Sequence, residues 1–151
     1  MRRRRWAMGL ALSLGAAAIT TGTGYAVAAS GATEQDALGP GLVTVDVGIE
    51  RSRFDIGALQ VAEGTTVEFV VHNTDPIDHE LIVGPPEVHR AHSTGEERSH
   101  PPVPGEVSVT PGQVASTFYE FTEAGSIVYA CHLPGHVAYG MQGTIDVVEP
   151  S

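Results

Sequence analysis

Apolar residues in this sequence recur at every second position, in short runs that end in turns rich in Gly, Pro, Asp or Asn. Period-two alternation sends successive side chains to opposite faces of an extended chain, so each run reads as a half-buried β-strand. Leu42–Ile49 alternates in this way, as do Phe54-Asp55-Ile56 and Leu59-Gln60-Val61, with Gly57 between them as a bulge or bend. Thr65–Asn73 is the clearest run, with Val67, Phe69 and Val71 on one face. Further strands are expected at His79–Gly84, Glu106–Thr110, Gln113–Phe121, Ser126–Cys131 and Gly143–Val148. No long helix fits. The pattern predicts an all-β fold, an antiparallel sandwich or barrel of seven to eight strands. Pro85 to Pro104 departs from it: rich in proline and histidine, this stretch is expected to be an exposed loop insertion, with a helical turn or two over Glu87–His92.

The last long strand delivers the only cysteine of the chain into a Pro-Gly loop, Cys131-His132-Leu133-Pro134-Gly135-His136. The loop returns His136 five residues after Cys131, and Met141 five residues after that. Thiolate, imidazole and thioether form a soft donor set, suited to copper cycling between Cu(I) and Cu(II) and unsuited to Mg²⁺ or Ca²⁺. A second histidine would complete the His₂Cys plus axial Met set of a blue-copper site. His79, at a loop-to-strand entry, is the preferred donor. The competitor, His72, shares the strand face of Glu68 and Val70 and is expected to face solvent.

The N-terminus reads as export. Arg2 to Arg5 form a basic n-region, Trp6 to Ile19 is largely apolar, and Ala26-Val27-Ala28 offers a small-x-small cleavage site, so residues 1–28 are expected to be a signal peptide. Residues 29–41 follow as a flexible linker, and 42–149 as one domain with a single small core. Without residues 1–28 the chain keeps four arginines and no lysine against 18 acids, a net charge of −14 with histidines neutral. Such a surface excludes nucleic acid as a partner and favours basic ones. No membrane span is expected after cleavage. A lone cysteine in an exported chain cannot close an internal disulfide, which turns attention to its metal chemistry.

With His79, Cys131, His136 and Met141 in place, the chain resembles the cupredoxins, the plastocyanin and azurin superfamily. The resemblance runs from Leu42 to Val148 and is most specific at Tyr129–His136 and Gly140-Met141, with Asp78-His79-Glu80 and the Thr110-Pro111-Gly112 turn also fitting. Within the superfamily it is most like exported bacterial forms, some associated with copper tolerance. The resemblance implies an eight-stranded Greek-key sandwich with copper at one end, beneath the ligand loop. It also implies one type 1 copper, imidazole nitrogens from His79 and His136, a short thiolate bond from Cys131 and a long axial contact from Met141. Two features depart from the family pattern. Plastocyanins and azurins usually carry Asn directly after the first histidine; here it is Glu80, so the task of steadying the ligand loop is expected to pass to Asn73 or another neighbour. The Cys-x₄-His-x₄-Met spacing matches neither archetype fully.

One-electron transfer between extracytoplasmic redox proteins is the function this reading favours, with copper binding for tolerance or delivery as the alternative. His89, His92 and His100 bear on that choice, because His89 and His92 lie at i, i+3 and can share one face of a helical turn as a secondary Cu or Zn site. An interaction module, or a subunit of a copper oxidase or nitrite reductase, ranks lower. In such enzymes a histidine beside the cysteine reaches a second copper, as His132 would here, but their further His-x-His ligands are absent from this chain. His132 is expected to point away from the copper, as a surface electron port or simply an exposed residue, and no enzymatic activity is expected.

Overall fold

Thr65–Asn73, the run with the sharpest alternation, becomes the middle strand of a three-stranded sheet in the computed structural model, which describes residues 36–95 and 102–150. The expected signal peptide and His100 lie outside the described residues. Eight strands and one helix follow in order: β1 Gly41–Ile49, β2 Ala58–Ala62, β3 Thr65–Asn73, β4 His79–Gly84, α1 Pro86–Thr94, β5 Glu106–Val109, β6 Val114–Phe121, β7 Gly125–Ala130 and β8 Gln142–Val148. One sheet runs β1-β3-β6 and the other β2-β8-β7-β4-β5. The pairs β1–β3 and β2–β8 are parallel, and the remaining four are antiparallel.

The core lies between these sheets. Val67, Phe69 and Val71 of β3 face inward as the alternation predicts, joined by Val47 and Ile49 of β1 and Phe121 of β6. The five-stranded sheet answers with Val61, Leu81, Val83, Tyr129, Ile145 and Val147. Removing this much β-branched and aromatic surface from water supplies the main driving force of a small sandwich. Tyr129 anchors it twice, through its hydroxyl on the Ile56 carbonyl at 2.5 Å and through an edge contact with Phe54 at 5.3 Å.

Three local readings need correction. Phe54-Asp55-Ile56 is not a strand; it touches β1 only through an Ile49–Phe54 bridge, because the Asp55 carboxylate accepts the Gly48 N–H and turns the chain there. Leu38, within the expected linker, already pairs with Val61, so chain upstream of Leu42 joins the sheet. The helical turn expected over Glu87–His92 extends to nine residues, opened by Pro86 in the first turn and closed by Gly95 in the left-handed conformation.

Candidate metal centre

The antiparallel pairing of β4 with β7 sets the entry of one strand beside the exit of the other. Ile82 lies opposite Ala130, so the first residue of β4, His79, falls alongside the chain just past the end of β7, where Cys131 sits. Cys131 opens the loop to β8 and Met141 closes it. The loop is clipped at its base by the Cys131 N–H on the Met141 carbonyl at 3.1 Å, and the Met141 N–H returns to the His136 carbonyl at 3.0 Å. Gly135 and Gly140 adopt positive φ of 87°, which lets so short a loop reverse without side-chain strain.

Three donors converge as a result. Cys131 Sγ lies 3.1 Å from His136 Nδ1, the His79 and His136 ring centroids are 4.9 Å apart, and the ligand atoms of His79, Cys131 and His136 all fall within 4.8 Å of one another. Cys131 and His79 are buried and His136 is half-buried. Met141 is fully buried in the same core cluster and tied by its backbone to both Cys131 and His136. His72 stays away: it pairs with Asp46 at 2.7 Å on the surface.

His79 shows most directly what this arrangement is for. Its Nε2 bonds the Asp75 carboxylate at 3.0 Å, while its Nδ1 is buried with no hydrogen-bond partner among the described residues. An orphaned imidazole lone pair is costly in a protein interior unless it meets a cation. The soft donor set, the shared space and this lone pair fit a copper ion. Asp75 is fixed in turn. Its two oxygens accept the Arg51 N–H at 2.7 Å and the Ser52 N–H at 2.6 Å, while its own N–H bonds the Asn73 side chain at 2.9 Å. Burial raises the Asp75 carboxyl pKa, but the Ser52 and Arg51 N–H groups and then His79 outweigh it, holding the carboxyl below its ordinary value. Arg51 and Ser52 sit at φ of 54° and 53°, a left-handed conformation that non-glycine residues adopt at a cost. Here it aims both N–H groups at one carboxylate.

The loop-steadying role expected to pass away from position 80 stays there. Glu80 Oε1 accepts the His132 N–H at 2.7 Å, linking β4 across to the residue after the cysteine. Asn73 steadies the other side, donating to the Ile77 and Val109 carbonyls at 2.8 and 2.9 Å and so holding the loop that carries Asp75. Burial pushes the Cys131 thiol up to about 11, against the N–H groups of Glu80 and Leu133, which favour the thiolate. A cation bound there would displace that proton. His136 is held below its ordinary value by burial and by the neighbouring His79, which keeps the imidazole neutral and able to ligate.

His132 points away from this cluster, but it is not simply exposed. It lies half-buried against α1, where its Nε2 meets His89 Nδ1 at 2.8 Å and its ring centroid is 6.0 Å from that of His92. Burial, and then the neighbouring His89 and His92, pull its pKa down to about 4. The sequence signals for Asp75 and for the His89–His132 pair are weak, since neither has a local spacing that marks it.

Comparison with known proteins agrees with this geometry. Residues 42–148 match the family described as copper binding proteins, plastocyanin/azurin family. The copper-resistant cuproprotein CopI of Rubrivivax gelatinosus is 38% identical over 99 residues, covering 63% of this chain and 59% of that protein. This chain therefore spans under two thirds of that relative's length. Among solved structures, auracyanin B superposes with a TM-score of 0.59 at 23% identity, over 74% of this chain and 91% of that one. Rusticyanin from Thiobacillus ferrooxidans gives 0.52 at 21% identity, over 74% and 79%. Both likenesses concern the fold.

Proposed function

The chain belongs to the plastocyanin/azurin family of copper-binding proteins, and on that footing we propose that it is an exported one-electron carrier holding a single type 1 copper. His79, Cys131 and His136 would hold the ion, with Met141, buried in the same core cluster, as a fourth and weaker sulfur donor. The observation that carries this reading is the buried His79 Nδ1 without a partner, sharing a 4.8 Å neighbourhood with the Cys131 thiol and the His136 imidazole.

Bound copper supplies the one-electron Cu(II)/Cu(I) couple. The chain's own residues supply a rigid frame for it. Asp75 fixes the His79 tautomer and ring orientation, Glu80 holds the ligand loop, and the N–H groups of Glu80 and Leu133 share the sulfur's negative charge. A frame braced from so many directions changes little between oxidation states, which is what fast transfer requires. His136 is the least buried of the three donors and is flanked by the exposed Pro134, Gly135 and Tyr139. That edge is the contact surface we assign to basic redox partners, in keeping with the acidic surface elsewhere. Among the described residues no helix is long and apolar enough to cross a membrane.

Copper tolerance is the second reading, favoured by the name of the Rubrivivax gelatinosus relative. Cu(II) titration with visible absorption and EPR separates the two when followed by voltammetry. A thiolate-to-copper band that is complete at one equivalent, is absent in Cys131→Ser and cycles reversibly with copper retained supports electron transfer, whatever further copper binds elsewhere. Loss of copper on each reduction supports tolerance or delivery.

A further inference from the structure

Beyond the Cys131 centre, we propose that His89 and His132, with His92 beside them, form a second metal site for a divalent borderline ion, Cu(II) above all. The pair joins residues 43 positions apart, one on α1 and one directly after the cysteine, and sets His89 Nδ1 2.8 Å from His132 Nε2. The opposite nitrogen of His89 is already committed: Nε2 lies 3.1 Å from the Gly84 carbonyl and 3.0 Å from that of Val128, and so must carry the proton. His89 Nδ1 is therefore a bare lone pair aimed at a second imidazole nitrogen. A ring held by its far N–H on backbone carbonyls, with the near nitrogen presented, is how proteins orient metal-ligating histidines.

The separation fits the chemistry. Two imidazole nitrogens each about 2.0 Å from one ion lie roughly 2.8–3.4 Å apart for cis to tetrahedral angles. An ion entering here replaces the proton now shared by the two rings, and that proton moves to His132 Nδ1 or to solvent. His92 stands one turn along the helix. Its Nδ1 bonds the Val88 carbonyl at 3.0 Å, and its Nε2 faces Glu106 Oε2 at 3.3 Å, so an imidazole and a carboxylate flank the pair. Access comes from a surface groove of about 430 Å³ lined in part by His89, Arg90, Ser126, His132 and Gln142. Imidazole-rich sites suit Zn, Cu and Ni, and among these Cu(II) binds most strongly. Because His132 follows Cys131 in the chain, the second ion would lie next to a ligand of the first.

The test titrates the purified protein with Cu(II) alone, following the thiolate band and the EPR spectrum together. Two equivalents are expected, the second without a charge-transfer band and with nitrogen coupling in its EPR signal. His89→Gln should abolish the second equivalent and leave the thiolate band intact, and that intact band also reports a folded protein. Cys131→Ser should do the reverse, losing the band and keeping the second equivalent. The proposal is overturned if the wild type binds one equivalent only, or if the second survives His89→Gln as adventitious binding elsewhere. A missing thiolate band with the His89-dependent equivalent retained would sink the proposed electron-transfer centre and leave this site standing.

Discussion

Replacing Asp75 by Asn tests whether the carboxylate behind His79 is a working part of the centre. Asp75 accepts three hydrogen bonds in a nearly dry position, from the N–H groups of Arg51 and Ser52 and from His79 Nε2. An amide has one acceptor oxygen where the carboxylate has two. In either orientation its NH₂ group must face a donor: the Arg51 N–H, or the Ser52 N–H together with His79. At least one buried donor is then stranded, at about 1–3 kcal/mol, and the surviving bonds lose their charge assistance. A loss of about 2–4 kcal/mol in unfolding free energy is expected, read as a lower urea midpoint at unchanged slope. Copper affinity should fall by about 10–100-fold, the usual effect of removing a partner behind a ligating histidine. If the negative charge favours Cu(II) over Cu(I) by tenfold, its removal raises the potential by about 59 mV. The pH dependence carries a sign. Because the folded carboxyl pKa lies below its ordinary value, its contribution is complete above that ordinary value and is lost as pH falls through the folded one, so the gap between wild type and variant should close in acid. Asp46→Asn is the control, since Asp46 pairs with His72 on the surface, where such pairs are worth about 0–1 kcal/mol. Equal urea midpoints and equal copper affinity for Asp75→Asn and wild type would refute the reasoning.

Other outcomes follow from the same frame. Glu80→Ala should free the His132 N–H and loosen the loop, broadening the copper EPR signal and slowing electron self-exchange while costing only about 1–3 kcal/mol of stability. Gly143→Ala should destabilise by about 1–3 kcal/mol or more in thermal unfolding, because a Cβ there would run into the Tyr129 phenol and the Gly57 carbonyl. Phe69→Ala, in the centre of the core, should cost about 3–5 kcal/mol without altering the thiolate band of protein that remains folded. Copper at a hundredfold excess over its Kd should add up to about 2.7 kcal/mol, seen as a calorimetric shift that chelation reverses.

Much of the frame was legible in the sequence because it is written locally. Alternation in Thr65–Asn73 reports which residues face the core, and that face is the one observed. The spacing from Cys131 through His136 to Met141 marks a ligand loop because all three lie on one short return of chain. What escaped is non-local. Asp75 looks like any loop aspartate until the left-handed Arg51-Ser52 turn is folded against it, 24 positions from Arg51. Glu80 looked like a lost family residue, yet its longer side chain reaches the ligand loop 52 positions away. His132 looked exposed because nothing in its neighbourhood announces that α1 will cover it. Phe54-Asp55-Ile56 alternates like a strand, but a carboxylate at its centre captures a backbone N–H and alternation cannot register that.

The ligand loop has a consequence for the order in which copper and fold arrive. Cys131, His136 and Met141 occupy eleven consecutive positions, whereas His79 stands 52 residues upstream of the cysteine. Closing a loop of that small size costs an unfolded chain little entropy, so three of the four proposed donors could meet around an ion before any sheet exists. Affinity for the unfolded chain subtracts from the stabilisation the ion confers on the folded one. Calorimetry of the copper form therefore measures the advantage of a complete cage over a partial one. His79 would join only when β4 docks beside β7, and that docking would turn a loosely captured ion into a committed one.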